Sequence, residues 1–417
     1  MDFFPQDYGA CADGVTKDTA AMQAAIDAAG DAASRDGINR HSRVVLDGGT
    51  FLTGAIQLRS GVELHIAEGA RLLASPDIAD FPDWPSPRHV VSANLPRGRN
   101  ASVIFADECE GIAITGGGVI DGNGSAHVRR KADPDWTCWE FERILPAEQS
   151  LPRVIFLAGC RDVRIEDVTL ANGPAGWGYF IHDCERVQCS RLRVKCDVRY
   201  PNNDGIHVNC CRDVDIADCD IECGDDAIIV RANSRSLQEN KPCERVRVRD
   251  CNIRAWAGGV RVGWFCDGAI RDCSFHRLHM RDSSYGIEMF LPRHPKSQDF
   301  GREATLIERL LFEDIAMEGL RAYPLEAFID PGAETRVEAV RDIVFRRVRA
   351  TARLLPRAWG REGTPLRDFL FEDCSFSKLP AEAVADWMRH GTSGRVTEPH
   401  ETFEHTEAFR FVNTQIG

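Results

Sequence analysis

No apolar run in this chain of 417 residues reaches the length of a membrane-spanning helix, which argues against a helical membrane anchor. No Pro-, Ser- or Gly-rich linker interrupts it either, so a length that ordinarily suggests two or three domains is read as one continuous repeat body. Positive charge is in deficit. A net charge of −13 argues against nucleic acid as a partner, and against acidic polymers unless a local basic patch overrides it. The start, Met1-Asp-Phe-Phe-Pro, lacks a basic segment and a long apolar core, which gives the expectation of no signal peptide in this chain and a cytoplasmic location, or a secreted or periplasmic one if a leader has been trimmed. The sixteen cysteines lack finger-like Cys/His spacing, so neither a zinc site nor any other metal or cofactor is expected.

What the chain has is a repeat. Short runs of two to five apolar residues alternate with Gly, Asn and Asp from Val44 onward, and one unit recurs: Cys109-Glu-Gly-Ile112, Cys160-Arg-Asp-Val163, Cys184-Glu-Arg-Val187, Cys211-Arg-Asp-Val214 and Cys243-Glu-Arg-Val246. A second column is read at Val168, Leu192, Cys219, Cys251, Cys273, Ile315, Val348 and Cys374, with intervals of 24, 27, 32, 22, 42, 33 and 26 residues. Constant strands separated by loops of variable length are the mark of a parallel β-helix, in which each coil packs only on its neighbours. The fold class is therefore all-β: a single-stranded right-handed parallel β-helix with an N-terminal capping helix. Thr16 or Asp18 is expected to cap that helix, which runs from Thr19 to about Ala33 with Ala21, Met22, Ala25 and Ile26 on its apolar stripe. The expected divisions are 1–43 for strand and capping helix, 44–378 for the coils, and 379–417 for a C-terminal cap and tail, with a short helix over 381–390. Cysteines at fixed repeat positions should form interior ladders about 4.8 Å apart, too far for unstrained disulfides, so free thiols are expected, which fits a reducing compartment.

The chemistry concentrates between Tyr200 and Arg231. Asp204 and the pair Asp225-Asp226 each border a short apolar strand and lie 21 residues apart, about one coil, which puts them on neighbouring rungs. Carboxylates crowded in this way cannot all ionise normally; repulsion raises at least one pKa, setting a proton donor beside an acceptor, as cleavage of a glycosidic bond requires. Alone, each motif is an ordinary turn or a chance acidic pair; one coil apart and each leading into a strand, they favour function. Aligned on their glycines, Gly205-Ile-His207, Gly259-Val-Arg261 and Gly286-Ile-Glu288 place His207, Arg261 and Glu288 in one outward column, with Arg261–Glu288 as a cross-strand ion pair or a sugar-binding set. Two long insertions, 121–151 with Arg129, Arg130, Lys131, Trp136 and Trp139, and 291–304, are expected to wall a groove.

These residues also resemble a known family, the polygalacturonase-like glycoside hydrolases of family 28. Its Asn-Thr-Asp-Gly and Gly-Asp-Asp pattern is matched by Asn202-Asn203-Asp204-Gly205 and Gly224-Asp225-Asp226, and its Asn-Ser-Pro-x-Trp segment by Asn172-Gly-Pro-Ala-Gly-Trp177, followed by His182. The resemblance spans about Asp7 to Phe376. Two motifs depart: Ala257-Gly258-Gly259-Val260-Arg261 stands in place of Gly-His-Gly, and Glu288-Met289-Phe290 in place of Arg-Ile-Lys. The resemblance implies an inverting glycosidase, with Asp225 as acid and Asp204 and Asp226 holding the water. The substrate-binding set expected beside them is Asn202, His207, Arg231, Arg261, Trp264, Tyr285, Glu288, Phe290, Trp177 and His182, and the partner is a poly- or oligosaccharide. Because Arg-Ile-Lys is the family's carboxylate clamp, its replacement implies that plain polygalacturonate is a poor substrate. A Ca²⁺-dependent lyase using Arg261 as base, and a non-catalytic carbohydrate-binding solenoid, are the alternatives.

Overall fold

The computed structural model describes residues 1–36, 42–84, 100–133, 139–146, 149–292, 303–332, 336–383 and 402–417. Trp136, nearly all of the 291–304 insertion and most of the expected 381–390 helix lie outside these residues. The described chain winds as a right-handed parallel β-helix. One face is an 11-stranded sheet, here the site sheet, whose strands follow in chain order from Ile56–Gln57 through Ile206–Asn209, Ile228–Arg231, Gly258–Val262 and Tyr285–Leu291 to Phe403–Glu404. A 25-stranded sheet supplies the other walls.

Period-two alternation sets the inside and outside of the site sheet. Ile206 and Val208, Ile228 and Val230, Val260 and Val262, and Ile287 and Met289 all belong to the continuous apolar core, so His207, Ile229, Arg261 and Glu288 face outward. Inside the long sheet, Phe275, Phe312, Phe345 and Phe371 stack at 4.7, 5.0 and 4.9 Å, one ring per coil. Helix Thr19–Asp36 closes the N-terminal end by burying Met22, Ala25, Ile26 and Ala29 in this core. The two larger side chains contribute roughly 1.5–3 kcal/mol each. Its start differs from expectation. The Asp18 carbonyl accepts from Met22 N–H at 2.9 Å, but its carboxylate turns back to the N–H groups of Cys11 and Ala12, while Thr16 bonds Asp13.

Two further expectations are corrected by register. Cys273 pairs with Val246 and Leu310, and Leu278 takes its place opposite Cys251, so the coil intervals there are 27 and 37 residues rather than 22 and 42. Strand content also does not stop at 378. Phe403–Glu404, Thr406–Glu407, Arg410–Val412 and Gln415–Ile416 pair onto the preceding coil, with Phe409 and Phe411 stacked on Phe369 and Phe371 at 4.6 and 5.0 Å. These strands are only two or three residues long, below what periodicity can mark. The first cysteine column is present: Cys109, Cys160, Cys184, Cys211 and Cys243 are buried free thiols, and several donate to backbone carbonyls of the neighbouring coil, such as Cys211 to Ile181 at 3.3 Å.

Beside that column runs a second, charged one. Successive coils carry Arg161-Asp162, Glu185-Arg186, Arg212-Asp213, Glu244-Arg245, Arg271-Asp272, Glu308-Arg309 and Arg341-Asp342, the first residues of each doublet directly opposite one another. From each coil an arginine reaches back to the acid of the coil before: Arg186–Asp162 at 2.7 Å, Arg212–Glu185 at 2.7, Arg245–Asp213 at 2.7, Arg271–Glu244 at 2.8, Arg309–Asp272 at 2.7 and Arg341–Glu308 at 2.8. The second residue of each doublet has left-handed φ between 53° and 57°, a conformation that costs a non-glycine residue roughly 1–2 kcal/mol. Exposed pairs contribute about 0.2–1 kcal/mol each, so the ladder offsets that cost only in part and acts mainly on register.

Candidate active site

The strands Ile206–Asn209 and Ile228–Arg231 lie side by side, Ile206 opposite Ile228 and Gly205 N–H bonded to Asp226 O at 2.9 Å. This register sets Asp204, Asp225 and Asp226 at the N-terminal edges of adjacent rungs. Gly205 has no room for a Cβ, which would lie 2.3 Å from Ala227 O; the close approach of the two acid-bearing turns needs a glycine there. The three acids differ in exposure. Asp204 and Asp226 are buried, while Asp225 is half-buried at the rim.

Burial pushes the Asp204 carboxyl well above the usual carboxylate range, and the neighbouring Asp225 and Asp226 add to it. Burial likewise raises Asp226, to about 7, against the pull of the Arg261 guanidinium at 2.9 Å and of Gly258 N–H at 2.8 Å. Arg261 also binds Glu288 at 2.7 and 3.0 Å and lies 4.3 Å over the Trp264 ring. Four carboxyls thus surround one buried cation, and the cluster must retain protons near neutrality. Burial also pushes His207 well below its ordinary value, leaving it neutral; its ring packs tilted against Trp177 at 4.1 Å, with Nδ1 3.9 Å from Asp204.

Asp225 is held from outside. Asn202 Nδ2 donates to its Oδ2 at 3.1 Å, and Asn202 Oδ1 accepts from Arg143 Nη2. Arg143 belongs to an antiparallel hairpin, Val128–Arg130 with Phe141–Arg143, and also donates to Ala175 O at 3.0 Å. Trp139, just before its second strand, donates to Gly224 O, the peptide before Asp225. Phe141 packs edge-on to Tyr200 at 5.0 Å. Sequence reading placed this insertion at the groove but missed Arg143 altogether, because nothing in its spacing distinguishes it from Arg129 and Arg130, which are exposed.

The outward column runs Phe180, His207, Ile229, Arg261, Glu288, with Ile229 on the rung that glycine alignment skipped, and the Arg261–Glu288 pair forms as expected. Trp264 and Phe290 meet edge-on at 5.2 Å beside it. Three expected substrate-binding residues lie elsewhere. Tyr285 shares the inward parity of Ile287 and is fully buried with Ala322, Tyr323 and Leu354. His182 is fully buried with Asn209 Nδ2 at 2.7 Å and Ser236 Oγ at 2.8 Å on its two ring nitrogens. Arg231 binds Asp267 at 2.7 Å and Phe265 O at 3.0 Å, anchoring the turn that carries Trp264.

A family model described as "Glycosyl hydrolases family 28" matches residues 90–359. Among curated proteins, a probable polygalacturonase of Vitis vinifera is 27% identical over 288 residues, covering 68% of this chain and 55% of that one. An exo-poly-alpha-D-galacturonosidase of Dickeya chrysanthemi is 26% identical over 303 residues, covering 64% and 48%. The chain spans about half the length of these relatives. Among solved structures, an exopolygalacturonase from Thermotoga maritima superposes with a TM-score of 0.70 at 21% identity, covering 91% of this chain and 89% of the other. A polygalacturonase from Erwinia carotovora does so with 0.65 at 18%, covering 88% and 93%. At these identities the structures speak for the fold.

Proposed function

The chain belongs to glycosyl hydrolase family 28, and from that premise we propose that it hydrolyses a glycosidic bond of a pectin-like poly- or oligosaccharide by an inverting acid–base mechanism. The observation that carries this reading is the placing of three carboxyls on adjoining rungs, Asp204 and Asp226 enclosed and Asp225 at the rim. Only Asp225 stands where a leaving glycosidic oxygen can reach it. Asn202 Nδ2 donates to its Oδ2 at 3.1 Å and so fixes the orientation of the carboxyl. In this reading Asp204 and Asp226 hold the water that attacks from the opposite face, the roles that the motif resemblance implies, and the three titrate as a set. A lyase is disfavoured because Arg261, its candidate base, is locked to Asp226 and Glu288 with its pKa raised further.

Specificity follows from the same column. Glu288 and Phe290 stand where the family carries its carboxylate clamp, and Arg261 is already neutralised by two acids. An anion brought against Glu288 meets repulsion of at least about 1 kcal/mol, tenfold or so in affinity. A neutral or deoxy sugar, with hydroxyls on the Arg261–Glu288 pair and its apolar face on Trp264 or Phe290, fits without that penalty. The test is a screen of plant and bacterial polysaccharides and aryl glycosides by reducing-sugar release and product mass. A neutral or rhamnose-containing substrate should lead; a kcat/KM on plain polygalacturonate above that on every neutral substrate refutes the specificity.

A further inference from the structure

The arrangement that flanks the acids is built twice. One rung beyond Glu288, and directly opposite it, stands Glu326, and opposite Glu326 stands Arg357. Both share the outward parity, since their neighbours Leu325, Ala327 and Ala358 line the core. Arg357 Nη2 meets Glu326 at 2.6 Å, and its guanidinium carbon lies 4.2 Å from the Phe328 ring centre, 4.9 from Trp359 and 5.1 from Tyr323. Arg261 with Glu288, Trp264 and Phe290 is the same chemical unit: an arginine on aromatic faces paired across strands with a fully buried glutamate. The order is mirrored, Arg-Glu then Glu-Arg. The aromatic members form one strip, with Phe290 to Phe328 at 5.4 Å and Phe328 to Trp359 at 5.7 Å.

Nothing in the folding of the helix calls for this second unit. Outward positions of a site sheet need only cover the core, as Ile229 does, and burying an ion pair there is costly unless its remaining hydrogen-bonding groups are met. One is not. Arg357 is 6% exposed, and its Nε has no hydrogen-bond partner among the described residues. A buried donor left open beside half-buried aromatic faces suits an external acceptor.

We infer that Arg357, Glu326, Phe328 and Trp359 form a second sugar subsite, which binds a neutral pyranose of the same glycan whose bond is cleaved at the acids. A hydroxyl accepts from Arg357, and the C–H face of the ring lies on Trp359 and Phe328. The centres of the two units are two rungs, about 10 Å, apart along the helix axis. That is close to the length of a disaccharide unit in an extended glycan, so one chain lying along the axis meets both. The zero net charge of the pair favours a neutral residue over a uronate. The inference rests on the glycosidase reading for the occupant's identity as a glycan.

The test is affinity electrophoresis of the full chain in native gels containing a galactan, an alternating rhamnose–galacturonate polymer or polygalacturonate, alongside turnover of the same polymers. The parent and Asp225→Asn should both be retarded by a polymer that contains neutral sugars. Trp359→Ala should weaken that retardation at least fivefold, and Trp359→Phe should restore it to within twofold of the parent. If Trp359→Ala loses cooperative unfolding, Phe328→Leu, which removes a ring face at similar volume, carries the same expectation. Retardation of the variants equal to the parent in every gel, or no retardation of Asp225→Asn in any gel, overturns the subsite. Retardation that depends on Trp359 with no turnover of any polymer by the parent supports the subsite and overturns the hydrolase reading instead.

Discussion

Asp226→Asn should inactivate the protein and, above neutral pH, make it more stable. An acid held at about 7 in the fold instead of its ordinary 3.8 binds a proton more tightly folded than unfolded. Its contribution is therefore fully favourable below pH 4, declines as pH rises between about 4 and 7, and is flat above. The difference amounts to about 4 kcal/mol at pH 8 relative to pH 4. Asparagine is isosteric and keeps an oxygen for Gly258 N–H, but turns an amide N–H₂ toward Arg261 Nε, a mismatch of roughly 1–3 kcal/mol that does not depend on pH. The variant should accordingly be less stable than the parent by about 1–3 kcal/mol at pH 4 and more stable by a similar amount at pH 8, the sign reversing between. Relaxation of Asp204, which Asp226 holds up in part, works in the same direction. Urea unfolding followed by tryptophan fluorescence at half-unit pH steps reads the difference. A stability difference that stays constant from pH 4 to pH 8 would refute the reasoning, because it would mean that Asp226 is an ordinary ionised carboxylate in the fold.

Asp225→Asn removes the proposed proton donor with almost no change in volume, so kcat should fall well beyond tenfold, in keeping with the 10²–10⁴ typical of general acid catalysis; more than a tenth of parental kcat excludes it from that role. Arg143→Met frees the Asn202 amide to rotate away from Asp225, and kcat should drop about tenfold with KM within twofold, since the change is in aim rather than in binding. An unchanged kcat, or a loss confined to KM, would show that the hairpin serves the substrate and not the acid. Thiol titration should find Cys109, Cys160, Cys184, Cys211 and Cys243 slow in native protein and fully reactive after denaturation; disulfides among them in protein prepared without oxidant would contradict the ladder.

The fold was legible because each coil spells out its own strand and turn, and the cysteine units at 109, 160, 184, 211 and 243 mark the same place on successive turns. Legibility failed where the mark is degenerate. Cys273 and Leu278 are both apolar and five residues apart, and only the hydrogen-bond ladder tells which one continues the column. The acids were legible for the same reason as the coils: their spacing is one turn of the helix. Parity sorted Glu288 from Tyr285, yet the outward or inward sense of a two-sided strand is plain only once the core residues are known, and Tyr285, with a polar tip, suggested the wrong face. Arg143 and Arg357 were not readable at all. Their roles arise from a hairpin folded onto a distant turn and from a pairing three rungs beyond Arg261, neither of which leaves a local trace.

The charged ladder on the outer wall has a parity of its own. The backbone repeats with every coil, whereas between Arg161 and Arg341 the Arg-Asp and Glu-Arg doublets repeat with every second one; the next coil breaks the alternation by setting Arg367 opposite Arg341. Excising the coil that carries Arg212-Asp213 would set Glu185-Arg186 against Glu244-Arg245, glutamate on glutamate and arginine on arginine, although every interior residue would still find an apolar neighbour. Excising that coil together with the next leaves the alternation intact, with Arg271 opposite Glu185. Cross-strand like charges destabilise while opposite ones stabilise, so within the alternating stretch from Arg161 to Arg341 the outer wall favours lengthening or shortening by coils in pairs. Along that stretch the repeat of the charged wall is thus the double turn, even though the repeat of the backbone is the single one.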